Sequence, residues 1–184
     1  MNRLLEMAIE TAAKAHEGQV RKGSGIPYIA HPYAVGMILR EAGCSDEVVA
    51  AGILHDTTED TPLTLLEIES RFGKTVASLV AGASEPDKSK RWEERKNHTI
   101  AFLRTAPMDV RMIVCADKLH NLRSILADYA RHQDNVWQVF SRGKEKQMWY
   151  YKSICDSLFA NLAPSEIPAL FGDYERQVAM LLKL

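Results

Sequence analysis

Residues 107–132 read PMDVRMIVCADKLHNLRSILADYARH, the longest periodic run of the chain. Pro107 stands where a helix can begin, and apolar side chains then recur at intervals of three and four residues. Asp117 is flanked by apolar neighbours, which predicts that its side chain starts from a face turned toward the interior. A carboxylate in that position needs a partner, so this run predicts both a long helix and a polar site along it.

The rest of the chain has the same helical character. Ser45 is a candidate N-cap, Thr64 and Glu67 form a candidate capping box, and Gly43 and Gly73 are candidate helix ends. No sustained alternating pattern predicts a strand. The predicted helices are 4–15, 32 to about 41, 46 to between 56 and 59, 65–72, 75–83, 91–104, 107–132, 143–160 and 165–182. We therefore predict an all-α fold, a bundle of about 8–10 helices forming one domain over residues 1–184.

Composition excludes several classes of protein. Hydrophobic residues make up 46% and charged residues 26% of the chain, a balance typical of globular domains rather than disordered ones. The formal net charge of -1 argues against a broad nucleic-acid surface, which usually carries a basic excess. Glu6 and Glu10 interrupt the N-terminal apolar stretch, and the longest apolar run, VVAAGIL at 48–54, is far shorter than the roughly 20 residues of a membrane span. We expect a cytoplasmic protein that binds neither membrane nor nucleic acid.

The segment ILHDTTED at 53–60 carries the densest group of ionisable side chains. His55 and Asp56 are adjacent, so on a helix they point about 100° apart and could hold one metal ion from two sides. Glu59 and Asp60 each follow one of them by four residues. If the helix continues, these acids lie one turn further on, and if it ends, a loop carries them over the site. The alternative is a capped helix end with solvated acids.

Two further segments supply candidate ligands. In YIAHP at 28–32, His31 stands at the junction between a loop and a helix, although a single histidine there is more often structural. In CADKLHNL at 115–122, Asn121 lies one helical turn after Asp117 and projects to the same side. His120 is a competing ligand that ranks behind His31.

The stretch VRKGSGIPY at 20–28 pairs two cations with a glycine-rich loop. Arg21 and Lys22 could meet a phosphate together with backbone N–H groups. Considered alone, an exposed basic turn is the more common interpretation.

Together, AHEGQ at 15–19, RKGSGIPYIAHP at 21–32, ILHDTTEDT at 53–61 and ADKLHNL at 116–122 resemble the HD-domain hydrolases of the Rel/Spo type. Those enzymes remove the 3′-pyrophosphate from the guanosine alarmones ppGpp and pppGpp. The resemblance covers about residues 1–130. Since 184 residues leave no room for the synthetase and regulatory domains of the long Rel/Spo proteins, the chain resembles a stand-alone small alarmone hydrolase.

The resemblance implies a role for each matching residue. It implies that His31, His55, Asp56 and Asp117 bind one divalent ion, usually Mn²⁺. It also implies that Glu59 and Asp60 position and activate the attacking water, and that Arg21, Lys22 and Asn121 contact the nucleotide. A mixed set of nitrogen and oxygen ligands suits Mn²⁺, with Fe²⁺, Co²⁺ or Zn²⁺ as substitutes.

Two alternatives share this set of residues. The first is a metal-dependent phosphohydrolase acting on another nucleotide, such as a nucleoside monophosphate or NADPH. The second is a nucleotide-binding module without catalysis. In each case the partner is a small nucleotide, and assembly into a homo-oligomer is left open.

Overall fold

The computed structural model describes residues 2–85 and 89–184, and over these ranges the chain is helical, as predicted. Within them lie nine α-helical segments and two 3₁₀ helices. The α-helices are α1 (Arg3–Ala15), α2 (Ala30–Glu41), α3 (Asp46–Leu54), α4 (Thr57–Asp60), α5 (Leu65–Ala83), α6 (Trp92–Leu103), α7 (Met108–His132), α8 (Gly143–Phe159) and α9 (Ala169–Leu181). The 3₁₀ helices are Gln133–Val139 and Pro164–Glu166. Among the described residues, β-pairing is limited to one isolated antiparallel bridge between Val20 and Pro27.

The predicted starts of α3 and α5 and the break at Gly73 are confirmed, whereas α2 begins at Ala30, two residues before the predicted start at Pro32. The Ser45 side chain accepts a hydrogen bond from the Val48 amide at the start of α3. Thr64 and Glu67 form the complete capping box of α5. Gly73 interrupts α5 with φ 84° and ψ 167°, so residues 65–83 form two helical stretches around a kink, as the sequence predicts.

The chain divides into two compact units, Met1–Asp87 with Pro107–Asp117 and Lys88–Ala106 with Lys118–Leu184. The boundary falls inside α7, directly after Asp117. Organisation as one domain over 1–184 stays a prediction. Of the polar segment 84–99, residues 86–88 lie outside the described residues.

In the first unit, α3 forms the centre and α1, α2 and α5 pack against it. Every residue from Val48 to Leu54 is buried. Two glycines allow α2 and α3 to approach closely, because a Cβ at Gly36 would overlap Ile53 and a Cβ at Gly52 would overlap Leu39. The close approach matters for the site, since α2 carries His31 near its start and α3 ends just before His55.

In the second unit, α6 and α9 both pack against α8. Tyr174 of α9 is fully buried, and its hydroxyl donates a hydrogen bond to the Tyr151 carbonyl at 3.0 Å. In the part of the chain that the structure describes, no helix has both the length and the apolar character to cross a membrane. The cytoplasmic location stays a prediction.

Candidate metal centre

Two histidines of the first unit meet in its interior. His31 lies in the first turn of α2 and is 1% exposed, and His55 follows α3 directly and is 3% exposed. Their rings meet edge to face, with centroids 5.3 Å apart. Close packing of α2 on α3 therefore places two imidazoles side by side.

The hydrogen bonding of His55 fixes which nitrogen faces the site. Its Nδ1 lies 2.7 Å from the Gly52 carbonyl oxygen. Because a carbonyl oxygen can only accept, Nδ1 carries the hydrogen and Nε2 points away from that bond. Nε2 is buried and makes no aligned hydrogen bond within the described residues. An imidazole held in this way presents the atom that a metal ion uses.

Two carboxylates complete the cluster. Asp56 Oδ2 lies 3.5 Å from His31 Nε2 and 3.2 Å from His55 Nε2. Asp117 Oδ1 lies 3.2 Å and 3.8 Å from the same two nitrogens. The ligand atoms of His31, His55 and Asp117 all lie within 4.8 Å of one another. The structure thus brings together all four residues that the sequence nominates as metal ligands.

The electrostatics of the cluster favour a cation. Burial opposes a charge on His55, but the carboxylates of Asp56 and Asp117 outweigh it and hold the His55 pKa well above its ordinary value. Burial also opposes ionisation of Asp56, yet the neighbouring imidazoles hold its pKa well below the usual range. A set of two imidazoles and two carboxylates around one point fits a divalent ion of the first transition row.

The helix break at this site positions the next two acids. The chain turns at His55 and Asp56 and re-enters a short helix, α4, which carries Glu59 and Asp60. Thr57 Oγ1 donates to the Leu54 carbonyl at 2.7 Å, and Ser84 Oγ lies 3.1 Å from the His55 carbonyl. These bonds satisfy carbonyls that the end of α3 would otherwise leave unpaired in the interior.

Both acids of α4 are tied to neighbouring segments. Glu59 Oε1 accepts a hydrogen bond from the Glu85 amide at 2.7 Å. The Asp60 carbonyl accepts one from Gln19 Nε2 at 2.8 Å, while Gln19 Oε1 accepts from His16 Nδ1. Glu59 is therefore held through its carboxylate and Asp60 through its backbone.

The basic pair begins the loop before α2. Arg21 donates its backbone N–H to the Ile26 carbonyl at 2.8 Å, closing a tight turn. Arg21 is partly buried, with Cζ 5.9 Å from the Tyr28 ring centroid, whereas Lys22 is exposed. Asn121 and the competing ligand His120 belong to the second unit, so their roles stay predictions.

Sequence reasoning missed Tyr28. Its hydroxyl donates a hydrogen bond of 2.7 Å to Oδ2 of Asp56. Burial and the Asp56 carboxylate raise the Tyr28 pKa, so the hydroxyl keeps its proton and remains a donor. The signal available was its position three residues before His31, within a motif already singled out.

Comparison with known proteins agrees with this geometry. Residues 8–147 match the family model of the HD domain. The bifunctional (p)ppGpp synthase/hydrolase SpoT of Escherichia coli is 42% identical over 126 residues, covering 66% of this chain and 18% of that protein. The guanosine-3′,5′-bis(diphosphate) 3′-pyrophosphohydrolase of Haemophilus influenzae is 40% identical over 119 residues, covering 62% and 17%. The chain thus spans less than a fifth of the length of these curated relatives.

Two solved structures match over nearly their whole length. The crystal structure of lmo0812 from Listeria monocytogenes shares 42% identity with a TM-score of 0.79, covering 90% of this chain and 100% of that one. A metazoan ortholog of SpoT, described as hydrolysing ppGpp, shares 27% identity with a TM-score of 0.77 and covers 96% of each chain. With the family model matched over residues 8–147, and with His31, His55, Asp56 and Asp117 lying together in space, the chain belongs to the HD domain family.

Proposed function

We propose that this chain hydrolyses the 3′-pyrophosphate of guanosine alarmones, releasing pyrophosphate and leaving GDP from ppGpp or GTP from pppGpp. One observation carries the proposal: two imidazoles and two carboxylates converge, with His55 Nε2 buried and without an aligned hydrogen bond. Relatives named for this reaction support the choice of substrate.

In this proposal His31, His55, Asp56 and Asp117 hold one divalent ion, with Mn²⁺ the first candidate. Such an ion lowers the pKa of bound water and offsets negative charge on the phosphate under attack. His31 and His55 contribute neutral nitrogen ligands, and Asp56 and Asp117 contribute two negative charges. The two carboxylates formally balance the charge of a divalent ion, and the neutral imidazoles leave that balance unchanged.

In this proposal Glu59 and Asp60 act as the base and as the group that orients the attacking water. Water attacks the phosphorus bonded to the 3′ oxygen, the bond between them breaks, and the water proton passes to one of these carboxylates. The 3′ oxygen takes that proton from the carboxylate as it leaves, so it departs as a hydroxyl and the carboxylate is regenerated. Because the Glu59 carboxylate is held by the Glu85 amide and the Asp60 backbone by Gln19, the two acids need little reordering before the attack.

Arg21 and Lys22 hold the anionic nucleotide from the loop before α2. Arg21 can donate two parallel hydrogen bonds to a phosphate, and Lys22 adds a mobile point charge. In this proposal none of these groups binds the ion. Their loss should therefore raise KM for the nucleotide and leave the content of bound metal nearly unchanged.

A substrate panel with Mn²⁺ tests the proposal. Purified protein is incubated with ppGpp, pppGpp, NADPH and nucleoside monophosphates, and pyrophosphate and orthophosphate are measured separately. Pyrophosphate from the two alarmones is the expected result. Orthophosphate from NADPH or a monophosphate would instead favour the other phosphohydrolase. Binding of ppGpp without turnover, at stoichiometric Mn²⁺, would favour a binding module.

Two variants separate the roles of the acids. Asp56→Ala should lose both bound Mn²⁺ and turnover, whereas Glu59→Gln should keep its metal and lose about 10²–10⁴-fold in rate. Glu69→Gln, an exposed acid on α5, is the matched control and should behave as wild type. Equal metal loss in Asp56→Ala and Glu59→Gln would contradict the division between ligand and base.

A further inference from the structure

Tyr28 stands between the basic loop and the metal centre. Its hydroxyl contacts Oδ2 of Asp56, the oxygen that lies 3.5 Å from His31 Nε2 and 3.2 Å from His55 Nε2. We propose that Tyr28 is the positioning residue of the centre: its hydroxyl aims one Asp56 oxygen at the ion, and its ring sets the position of Arg21. This rests on the proposed function for the identity of the substrate, but not for the binding of the ion.

The backbone around Tyr28 is held from both sides. Its amide donates to the Gln19 carbonyl at 2.9 Å, and its own carbonyl accepts from the His31 amide at 2.9 Å. The bridge between Val20 and Pro27 closes the loop that precedes it. Tyr28 is thus fixed relative to a metal ligand three residues later in the chain.

The ring of Tyr28 is equally confined. The buried ring of His16 lies against it with centroids 4.8 Å apart, and the edge of His31 lies at 5.9 Å. A ring packed between two imidazoles has few rotamers open to it, so the hydroxyl is directed at Asp56 before any ion binds. This is the arrangement by which an outer-shell donor orients a metal-binding carboxylate.

The ring of Tyr28 also contacts Arg21. Its guanidinium carbon lies 5.9 Å from the Tyr28 ring centroid, within the range of a cation–π contact. One side chain therefore joins the residue proposed to hold the nucleotide to the carboxylate proposed to hold the ion. Removal of the hydroxyl and removal of the ring should then have different effects.

Tyr28→Phe removes the hydroxyl and keeps the ring. Isothermal titration of the metal-free protein with MnCl₂, without substrate, should show Mn²⁺ affinity lowered by about 10- to 100-fold. At saturating Mn²⁺, kcat should recover and KM for ppGpp should stay at the wild-type value. Tyr28→Leu, which also removes the ring, should raise KM in a way that added Mn²⁺ does not correct. Tyr33→Phe, at an exposed position of α2, is the matched control and should leave Mn²⁺ affinity unchanged.

Wild-type Mn²⁺ affinity in a folded Tyr28→Phe protein would overturn the proposal, as would a loss of kcat that saturating Mn²⁺ does not restore. If Tyr28→Phe fails to fold by circular dichroism, the same titration is run on Tyr28→Leu, which also lacks the hydroxyl and should also show lowered Mn²⁺ affinity. Unchanged Mn²⁺ affinity in that protein would also overturn it. Because the titration uses no nucleotide, its result stands apart from whether ppGpp is hydrolysed.

Discussion

Gly36 is a position where a single added methyl group should disturb the packing of α2 on α3. It lies inside α2, opposite α3, and a Cβ there would overlap Cγ1 of Ile53 and lie 2.9 Å from its Cδ1. Ile53 is fully buried and β-branched, so it cannot swing aside freely. We therefore expect Gly36→Ala to force α2 and α3 apart or to strain Ile53.

The magnitude follows from two opposing terms. Replacing a helical glycine by alanine stabilises a helix by about 1 kcal/mol. Forcing an extra methyl into a packed core destabilises by about 1–3 kcal/mol. Gly36→Ala should therefore lower the free energy of unfolding by about 0–2 kcal/mol. At a helical glycine with open space around it, the same substitution should show only the stabilisation of about 1 kcal/mol.

Gly172 in α9 is that matched control, because its nearest contact to an added Cβ would be the guanidinium of Arg176 at 3.6 Å. The helix-propensity term is common to both variants, so Gly36→Ala should be less stable than Gly172→Ala by about 1–3 kcal/mol. Urea denaturation followed by far-ultraviolet circular dichroism measures both. Tryptophan fluorescence follows the second unit, since Trp92, Trp137 and Trp149 all belong to it.

Gly36→Ala in a protein that already carries Ile53→Ala tests whether Ile53 is the residue that the new methyl group meets. Truncating Ile53 removes the atoms that the new methyl would meet, so Gly36→Ala should then become neutral or stabilising, with a coupling energy of about 1–3 kcal/mol. If Gly36→Ala stabilises as much as Gly172→Ala, or if the two substitutions are additive, the assignment of close packing to this contact is refuted.

Three further predictions follow from local geometry and from the proposed ion. Gly73→Ala should destabilise by about 1–3 kcal/mol, because φ 84° with ψ 167° is open to glycine and strained for alanine; unchanged stability in urea would contradict this. Ser45→Ala should destabilise by about 1 kcal/mol through loss of the cap to Val48, and Ser45→Asp should restore it, as thermal denaturation of the three proteins would show. Mn²⁺ at 100 times its dissociation constant should stabilise the protein by about 2.7 kcal/mol, and EDTA should reverse the rise in Tm; an equal rise in Asp56→Ala would show that the ion binds elsewhere.

The features that the sequence predicts depend on contacts between residues close together in the chain. The features that it misses depend on contacts between residues far apart in the chain. The starts of α3 and α5 are marked by side chains that bond amides three residues later, at Ser45 and Thr64, and both were predicted. The sequence predicts that the helix beginning at 46 ends between residues 56 and 59, whereas α3 ends at Leu54. Ser84 Oγ lies 3.1 Å from the carbonyl of His55, the residue that follows α3, and the two residues are 29 positions apart. The pattern of neighbouring residues does not predict a hydrogen bond between residues so far apart in the chain.

The same distinction holds within the candidate site. His31, His55, Asp56 and Asp117 were nominated from residue types and motif resemblance, and the structure brings their ligand atoms together. Tyr28 was passed over because its role depends on a hydrogen bond across 28 residues. The 3₁₀ helix Gln133–Val139 was likewise not predicted, and it begins with Gln133 at φ 50°, a conformation that no glycine signals.

Two kinds of contact shape this centre, and they should respond differently to substitution. The distance between the imidazoles is set by core packing, since Gly36 and Gly52 allow α2 and α3 to approach until the rings of His31 and His55 lie 5.3 Å apart. A change in that packing should alter the free energy of unfolding and the Mn²⁺ affinity together. The direction of the Asp56 carboxylate is set instead by one hydroxyl at the edge of the core. Loss of this hydroxyl should weaken Mn²⁺ binding with little change in the stability of the metal-free protein. The ratio of the change in Mn²⁺ affinity to the change in the free energy of unfolding therefore shows which kind of contact a variant has broken.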